Sequence, residues 1–223
     1  MVDVIVAEAR SCAHWVGRAA LSPEVLEAMA AVPRHEFVPD VSKFAAYDNG
    51  PLPIGHGQTI SQPYIVALMT DLLEPRAGDV ILEVGTGSGY QAAVLSRLVS
   101  KVYSLEVVQP LARQAHERLH RLHYTNVEVV TGDGGMGLPD HAPYDGIIVT
   151  AAPATVPPRL LAQLKPGAKL VIPVGGRYTS QDLRVIHKDE AGNVHSRSVL
   201  PVAFVPLVSG AGAMDERDAD RVG

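Results

Sequence analysis

Between residues 79 and 174 of this chain, short apolar runs alternate with longer segments in which apolar positions recur at helical spacing. The apolar runs are typical of buried strands, and the longer segments are typical of amphipathic helices. Alternation of this kind indicates right-handed βαβ units, so we expect an α/β fold with a doubly wound, mostly parallel sheet. The pattern predicts strands over 79–84, 101–106, 126–130, 146–150 and 168–174, and helices over 88–99, 109–123 and 157–164.

The amino-terminal flank of this region has a helical and loop-rich pattern. One helix is predicted to begin at the N-cap Ser22, because a proline follows it and apolar residues recur at helical spacing after that. A second helix is predicted from about Gln62 to the residue before Pro75. The stretch 49–57 between the two helices is rich in Gly and Pro, which indicates turns.

The carboxyl-terminal flank changes character again. Two β runs over 181–187 and 194–205 are joined by a turn-forming segment, which predicts an antiparallel hairpin at the end of the sheet. The last residues, 210–223, have little apolar surface to bury, and we expect them to be disordered. The expected organisation is a single domain over 1–209, made of an amino-terminal extension (1–77) and a Rossmann-like core (78–209).

The turn EVGTGSGY after the first strand of the alternating region carries the strongest chemical signal. Gly85, Gly87 and Gly89 allow positive φ angles and a close approach of the backbone to a ligand. A helix that begins at about Ser88 directs free N–H groups into the same space. The next strand ends on Glu106, whose carboxylate can accept hydrogen bonds from both hydroxyls of a ribose. These features predict a nucleoside-like ligand, for which Glu83 at the start of the turn is a further candidate contact.

The spacing of the glycines distinguishes between the classes of nucleoside ligand that such a loop can bind. The dinucleotide fingerprint GxGxxG requires Gly or Ala where this chain has Tyr90, and no GxxxxGK[ST] motif for a nucleoside triphosphate is present. The pattern ExGxGxG followed by an acid is similar to the first two motifs of the Rossmann-like methyltransferases that use S-adenosylmethionine. Asp133, followed by Gly134, is a candidate to accept from an adenine amino group, although Asp-Gly is equally typical of a plain turn.

The residues at the end of the fourth core strand indicate which kind of molecule accepts the methyl group. Thr150 and Ala151 begin the tetrapeptide TAAP, whose small side chains leave room for a second substrate. Methyltransferases that modify DNA amino groups carry Asn-Pro-Pro-Tyr or Asp-Pro-Pro-Tyr at this place, and cytosine C5 enzymes need a Pro-Cys nucleophile, whereas Cys12 of this chain follows Ser11. No metal ligands of the catechol type are present there. We expect an acceptor that needs neither covalent nor metal activation.

The composition excludes some classes of binding partner and indicates the cellular compartment. A net charge of −5 and a pI near 6.0 argue against a nucleic-acid surface, and no apolar run approaches the roughly 20 residues that span a membrane. A single cysteine excludes an internal disulfide, and the amino terminus lacks the basic and apolar regions of a signal peptide. We expect a cytoplasmic monomer with no nucleic-acid or membrane partner.

Eight segments, in order along the chain, resemble the protein-L-isoaspartate (D-aspartate) O-methyltransferase family, and the form Gln62-Pro63-Tyr64 is similar to its bacterial type. The resemblance covers about residues 20–208. Its segments are VPRHEFVP (32–39), AY (46–47), GQTISQP (57–63), EVGTGSGY (83–90), GDG (132–134), YDGIIVTAAP (144–153), IPVGG (172–176) and FVPL (204–207).

The resemblance implies repair of damaged proteins, with a methyl group moving from S-adenosylmethionine to the free α-carboxylate of L-isoaspartyl residues. The products are a methyl ester and S-adenosylhomocysteine. It implies Ser61 as the catalytic residue, and no metal. The implied cofactor contacts are Thr59, Ile60, Ser61, Glu83, Gly85, Gly87, Gly89, Glu106, Asp133 and Gly134, and the implied substrate contacts are Gln58, Ile60, Thr150, Ala151 and Val205.

Other interpretations compete with this one. Ser61 is also placed to be the N-cap of the helix that follows it. His116, His120 and His123 recur at helical spacing, but no cysteine or carboxylate set completes a metal site beside them. The string TGSG at 86–89 fails the GxSxG elbow of hydrolases. A methyltransferase for a small carboxylate or other oxygen nucleophile, and a non-catalytic protein that binds S-adenosylmethionine, remain as alternatives.

Overall fold

The computed structural model describes residues 1–176 and 179–208 of the chain. Its helices are α1 (Val2–Ser11), α2 (Ala13–Val16), α3 (Pro23–Ala31), α4 (Pro63–Leu73), α5 (Tyr90–Ser96), α6 (Gln109–Arg121) and α7 (Pro158–Ala162). Its strands are β1 (Leu52–Gly55), β2 (Gln58–Ile60), β3 (Val80–Val84), β4 (Lys101–Glu106), β5 (Val127–Thr131), β6 (Tyr144–Val149), β7 (Leu164–Val174), β8 (Gln181–Lys188) and β9 (Val194–Val202). Short 3-10 helices occupy Arg34–Phe37, Asp40–Ala45 and Pro139–His141.

Within the described residues, seven strands form one sheet in the order β5-β4-β3-β6-β7-β8-β9. The pairs from β5 through β7 are parallel, and β7-β8 and β8-β9 are antiparallel. The predicted fold class and the antiparallel carboxyl-terminal hairpin are therefore confirmed. The strand order reverses between β3 and β6, and ligands of doubly wound sheets bind beyond the carboxyl ends of the strands at such a switch point.

Helices cover both faces of the parallel part of the sheet, which explains why its strands are continuously apolar rather than alternating. Neighbouring residues of β3 point to opposite faces: Ile81 packs in a cluster with α3, α4 and α5, and Leu82 packs in a second cluster with Leu160 of α7. All three side chains are fully buried. The core thus fixes β3 and β6 at the centre of the molecule, with their carboxyl ends together.

Several boundaries differ from the sequence-based expectations. Helix α5 begins at Tyr90 rather than Ser88, because Gly89 is its N-cap with a φ of 87°. Strand β7 begins at Leu164 instead of residue 168 and runs through the Lys-Pro-Gly segment, next to a register shift between Tyr144 and Gly146 of β6. The expected disorder of 210–223 lies outside the described residues.

Two elements were not anticipated. The stretch 49–57, expected to form turns, contributes β1 to a small antiparallel hairpin with β2. His56 and Gly57 form its turn with φ angles of 52° and 66°, the positive values that tight hairpin turns favour. Helix α1 packs against α4 and buries Ile5 and Ala9, which lie one turn apart. Across the described ranges, no helix has the length and apolarity to cross a membrane.

A fully buried arginine connects the amino-terminal extension to the core. Arg34 donates from Nε to the Ala46 carbonyl at 2.8 Å and from Nη2 to the Ser61 carbonyl at 2.8 Å. Its guanidinium carbon lies 4.8 Å from the ring centre of Tyr90, the first residue of α5. Burial lowers the pKa of Arg34 to about 10, so the side chain is still a cation at neutral pH.

The interior of the sheet also holds a carboxyl group. Glu83 of β3 is fully buried and accepts a hydrogen bond from Ser104 Oγ of β4, which in turn shares a 2.6 Å hydrogen bond with Thr86 Oγ1. Burial raises the pKa of Glu83 to about 8. The group is therefore mostly protonated and neutral in the folded protein at neutral pH, whereas in the unfolded chain it ionises near pH 4.5.

This difference predicts a pH dependence of stability. Between about pH 4.5 and pH 8 the folded protein keeps a proton on Glu83 that the unfolded chain releases, so this group makes unfolding more favourable as the pH rises. The expected slope approaches a loss of about 1.4 kcal/mol per pH unit. Glu83→Gln, which is neutral at every pH, should remove that slope, as measured by urea unfolding at several values between pH 5.5 and 7.5.

Glu27→Gln is the matched control, because Glu27 is an exposed residue of α3. It should keep the wild-type slope, whatever small change it makes to the free energy of unfolding itself. Identical slopes in all three proteins would show that Glu83 is ionised in the folded state.

Candidate cofactor and acceptor site

The loop after β3 is held against the ends of the neighbouring strands. The amide of Gly85 donates to the Leu105 carbonyl at 2.8 Å, and Thr150 Oγ1 donates to the Gly85 carbonyl at 2.6 Å. Gly85 has a φ of 97°, and a Cβ at this position would overlap Thr150 Oγ1. The positive φ is confirmed. The close approach that excludes a side chain at Gly85 is to Thr150 of the same chain.

Glu106 anchors the other side of this loop. It ends β4, is only 6% exposed, and accepts from the Gly87 amide at 2.8 Å and the Val108 amide at 2.9 Å. Among the described residues no cation lies within ion-pair distance of it. A carboxylate has about four acceptor positions. Two backbone amides therefore leave capacity for two ribose hydroxyls.

A half-open cleft runs along this loop, beyond the ends of β3, β4 and β6. Its volume is about 510 Å³, including the space open to solvent. Glycine backbone, the Glu106 carboxylate and the side chains of Gln58, Thr59 and Thr150 are its polar groups, and apolar side chains form the rest. The lining residues are Gln58, Thr59, Val84, Gly85, Gly87, Leu105, Glu106, Val107, Val108, Gly134, Thr150, Ala151 and 205–208.

This cleft has the polar and apolar groups that binding of an adenosyl group requires. Its buried carboxylate has no neighbouring cation in the described part of the chain, apolar residues such as Leu105 and Val108 offer surfaces for a flat ring, and the glycine backbone leaves room beside them. Small-molecule sites typically combine such apolar walls with a few placed polar groups. The residues present therefore fit S-adenosylmethionine.

The predicted cofactor contacts do not all reach this cleft. Thr59, Gly85, Gly87, Glu106 and Gly134 line it, and Ile60 and Ser61 line a smaller adjoining cavity of about 310 Å³ that also includes the glycine loop.

The other three predicted cofactor contacts lie outside the cleft lining and have internal partners. Glu83 lies inside the sheet beside Ser104. Gly89 has a φ of 87° as the N-cap of α5, and a Cβ there would lie in tight contact with Leu119, at 3.2 Å. Asp133 Oδ1 accepts from the Gly135 amide at 2.8 Å and holds the turn.

Ser61 lies where the cofactor side meets a third cavity. The helix after it has Gln62 as its N-cap and begins at Pro63, so the interpretation of Ser61 as an N-cap is wrong. Within the described part of the chain, the Ser61 hydroxyl makes no hydrogen bond, while its carbonyl accepts from Arg34. The backbone is thus fixed and the hydroxyl is available to a ligand.

The third cavity, which we call the acceptor cavity, has a volume of about 1160 Å³ including the space open to solvent. Of the predicted substrate contacts, Thr150 and Val205 line both this cavity and the cofactor cleft, Gln58 and Ala151 line the cleft, and Ile60 lines the smaller cavity. The complete lining is Glu8, Cys12, Pro51, Thr59, Ser61, Gln62, Tyr64, Ile65, Thr150 and 200–205.

Sequence reasoning missed some of the lining residues. Glu8 and Cys12 reach the acceptor cavity from α1, more than forty positions before Ser61 in the chain. Val107 and Val108 line the cleft, and their position directly after the acid of β4 was an available signal. In the described ranges, no group of three or more His, Cys, Asp or Glu side chains is arranged to hold a metal ion.

Comparisons with known proteins agree with this geometry. A family model described as protein-L-isoaspartate (D-aspartate) O-methyltransferase matches residues 15–212. The chain is 57% identical to protein-L-isoaspartate O-methyltransferase 2 of Syntrophobacter fumaroxidans, over 94% of this chain and 85% of that protein. It is 58% identical to the protein of the same name from Nitrosococcus oceani, over 93% and 94% of the two chains.

Solved structures show the same likeness. A protein-L-isoaspartate O-methyltransferase superposes with a TM-score of 0.79 at 28% identity, covering 99% of this chain and 70% of the other. A Plasmodium falciparum structure in complex with S-adenosyl-L-homocysteine, described as a β-aspartate methyltransferase, has a TM-score of 0.72 at 25% identity, covering 84% and 91%. The chain belongs to the protein-L-isoaspartate (D-aspartate) O-methyltransferase family.

Proposed function

We propose that this protein transfers a methyl group from S-adenosylmethionine to the free α-carboxylate of L-isoaspartyl residues in damaged proteins. The products are the α-methyl ester and S-adenosylhomocysteine. The observation that carries the proposal is the Ser61 hydroxyl, which makes no hydrogen bond within the described residues. Ser61 lines both the acceptor cavity and the smaller cavity beside the glycine loop. Membership of the family supplies the substrate class.

The cofactor supplies an electrophilic methyl group on a sulfonium. Glu106 holds the ribose hydroxyls, and the glycine loop and Gly134 bound the remainder of the cleft. Thr59, Ile60 and Ser61 line the end of the cofactor site that faces the acceptor cavity. The chain's main contribution is to hold the acceptor oxygen in line with the methyl group, and alignment of this kind provides much of the rate of a two-substrate reaction.

The acceptor needs no general base. An α-carboxyl group has a pKa of about 3.3–3.7, so at neutral pH it is already the nucleophile. The Ser61 hydroxyl donates to one carboxylate oxygen and leaves the other free to attack. The apolar walls, with Val205 and Ile65 among them, keep water from the reacting groups. The opposite charges of carboxylate and sulfonium cancel as the bond forms, which a site of low polarity favours.

An ester carbonyl loses methanol more readily than a carboxylate loses its oxygen. The backbone nitrogen that follows the isoaspartyl residue therefore attacks the ester carbonyl, methanol leaves, and a cyclic succinimide forms, part of which hydrolyses to normal aspartate. We further propose that residues 1–209 act as one catalytic domain, in which the extension 1–77 and the core 78–209 both contribute walls to the acceptor cavity. We also propose a cytoplasmic monomer with no nucleic-acid partner: the single cysteine fits a reducing compartment, and the net charge of −5 argues against a nucleic-acid surface.

The reaction can be tested with two synthetic peptides of the same sequence. One has isoaspartate at a single position, and the other has normal aspartate there. With labelled S-adenosylmethionine, we expect label in the isoaspartyl peptide alone, released as methanol by mild base, because an ester is base-labile. Transfer to neither peptide, by protein shown to bind S-adenosylhomocysteine, would favour a small carboxylate acceptor or a binding role without turnover. Label that resists base would show methylation of an amine.

Ser61→Ala tests the role of the hydroxyl. We expect kcat for the isoaspartyl peptide to fall by about 10- to 100-fold, the loss that corresponds to removing one hydrogen bond to a charged oxygen. The dissociation constant of S-adenosylhomocysteine, measured by calorimetry, should change little. Ser196→Ala, on the exposed part of β9, is the control and should leave both values unchanged. A large loss of cofactor affinity in Ser61→Ala would contradict this division of roles.

Glu106→Ala tests the ribose contact. Removing a charged hydrogen-bond acceptor should raise the dissociation constant of S-adenosylhomocysteine by roughly 10- to 100-fold. Glu128→Ala is the matched control, since Glu128 lies on the neighbouring strand β5 and pairs with Lys101 on the surface. Equal affinity in wild type and Glu106→Ala would remove Glu106 from the ribose site.

A further inference from the structure

Helix α1 lies outside the part of the chain that the family model matches. The match begins at residue 15, whereas α1 spans Val2–Ser11. The helix is nevertheless part of the fold, because it packs on α4 and buries Ile5 and Ala9 completely or nearly so. A function of α1 would therefore be additional to the functions of the region that the family model matches.

One face of α1 forms a wall of the acceptor cavity. Glu8 and the following residue on the same face, Cys12, line this cavity together with Ser61 and Thr150. Of the described residues that line it, Glu8 is the one with a charged side chain. The cavity that holds the candidate catalytic hydroxyl thus carries a single negative charge, supplied by the amino-terminal helix.

The Glu8 carboxylate has almost no internal partner. The side chain is half-buried, and its one hydrogen-bond contact among the described residues is from Cys12 Sγ, at 4.0 Å. A thiol is a weak donor. No lysine, arginine or histidine of the described chain lies within ion-pair distance of Glu8. The carboxylate therefore retains its capacity to pair with a cation from outside.

A buried hydroxyl beside it also lacks a hydrogen bond of ordinary geometry. Tyr64, in the first turn of α4, is 2% exposed and lines the same cavity, and its OH has no hydrogen-bond partner that meets normal criteria among the described residues. Buried polar groups are almost always satisfied. The Tyr64 oxygen is itself closed to solvent, so it belongs to the wall of the cavity and is not a contact for the peptide.

We propose that Glu8 forms a subsite for a basic side chain, lysine or arginine, that flanks the isoaspartyl residue in the substrate. This inference rests on the proposed function, since it names the kind of peptide that the acceptor cavity selects. Methyl transfer itself gains nothing from Glu8, because a second negative charge repels the reacting carboxylate. The charge is favourable only when the substrate brings a cation to it.

The test is a set of isoaspartyl peptides in which one lysine is moved through about three residues on either side, with glutamine at the same positions as the neutral reference. We expect at least one lysine position to raise kcat/KM by about 5- to 20-fold over its glutamine peptide, as expected for a partly enclosed ion pair. The gain should be in KM and should shrink at high salt, because salt screens a pair that is open to solvent.

Glu8→Gln should reduce that gain to less than about twofold. Glu8→Lys should reverse the preference, so that a peptide with glutamate at the favoured position becomes the better substrate. Asp3→Asn is the matched control, because Asp3 is an exposed acidic residue of the same helix that does not line the cavity. It should behave as wild type.

The possible failures are distinct. No transfer to any isoaspartyl peptide would overturn the proposed function. Normal transfer with no preference for lysine at any position, or a preference that persists in Glu8→Gln, would overturn the Glu8 subsite and leave the proposed function intact.

Discussion

The arrangement of the site depends on the buried guanidinium of Arg34. The segment around Ser61 is a short irregular connection between β2 and α4, so it has little regular hydrogen bonding of its own. Arg34 binds the Ser61 carbonyl and the Ala46 carbonyl, and it stacks on Tyr90 directly after the glycine loop. A planar group with five donors can hold several carbonyl oxygens in a fixed geometry, which a lysine cannot do. One side chain therefore sets the acceptor segment against the cofactor loop.

Two carboxyl groups at the ends of adjacent strands have different roles because their surroundings differ. Glu83 is enclosed by the sheet beside Ser104, and burial raises its pKa to about 8, so it acts as a neutral part of the core. Glu106 accepts two backbone amides at the rim of the cleft and keeps acceptor capacity for a ligand. Glu83 supports the glycine loop from inside the sheet, and Glu106 lines the cleft on the other side of that loop.

The acceptor side is assembled from parts of the chain that are distant in sequence. Helix α1, the segment 59–65 and the segment 200–205 all contribute walls to one cavity. The cofactor side is more local, since the ends of β3, β4 and β6 form most of it. This difference suits an enzyme whose cofactor is constant and whose protein substrates vary.

The sequence by itself determined the alternating strands and helices, the antiparallel hairpin, the glycine loop and the acid at the end of β4, because each of these is a local pattern of burial or backbone conformation. The site of α1, the β1–β2 hairpin and the inward position of Glu83 were decided only by the tertiary structure. The same holds for Ser61, whose hydroxyl is not used as a helix cap. Periodicity records which face of an element is buried. Which side chain reaches a given cavity depends on contacts between residues far apart in the chain, and one sequence does not encode those contacts in any local pattern.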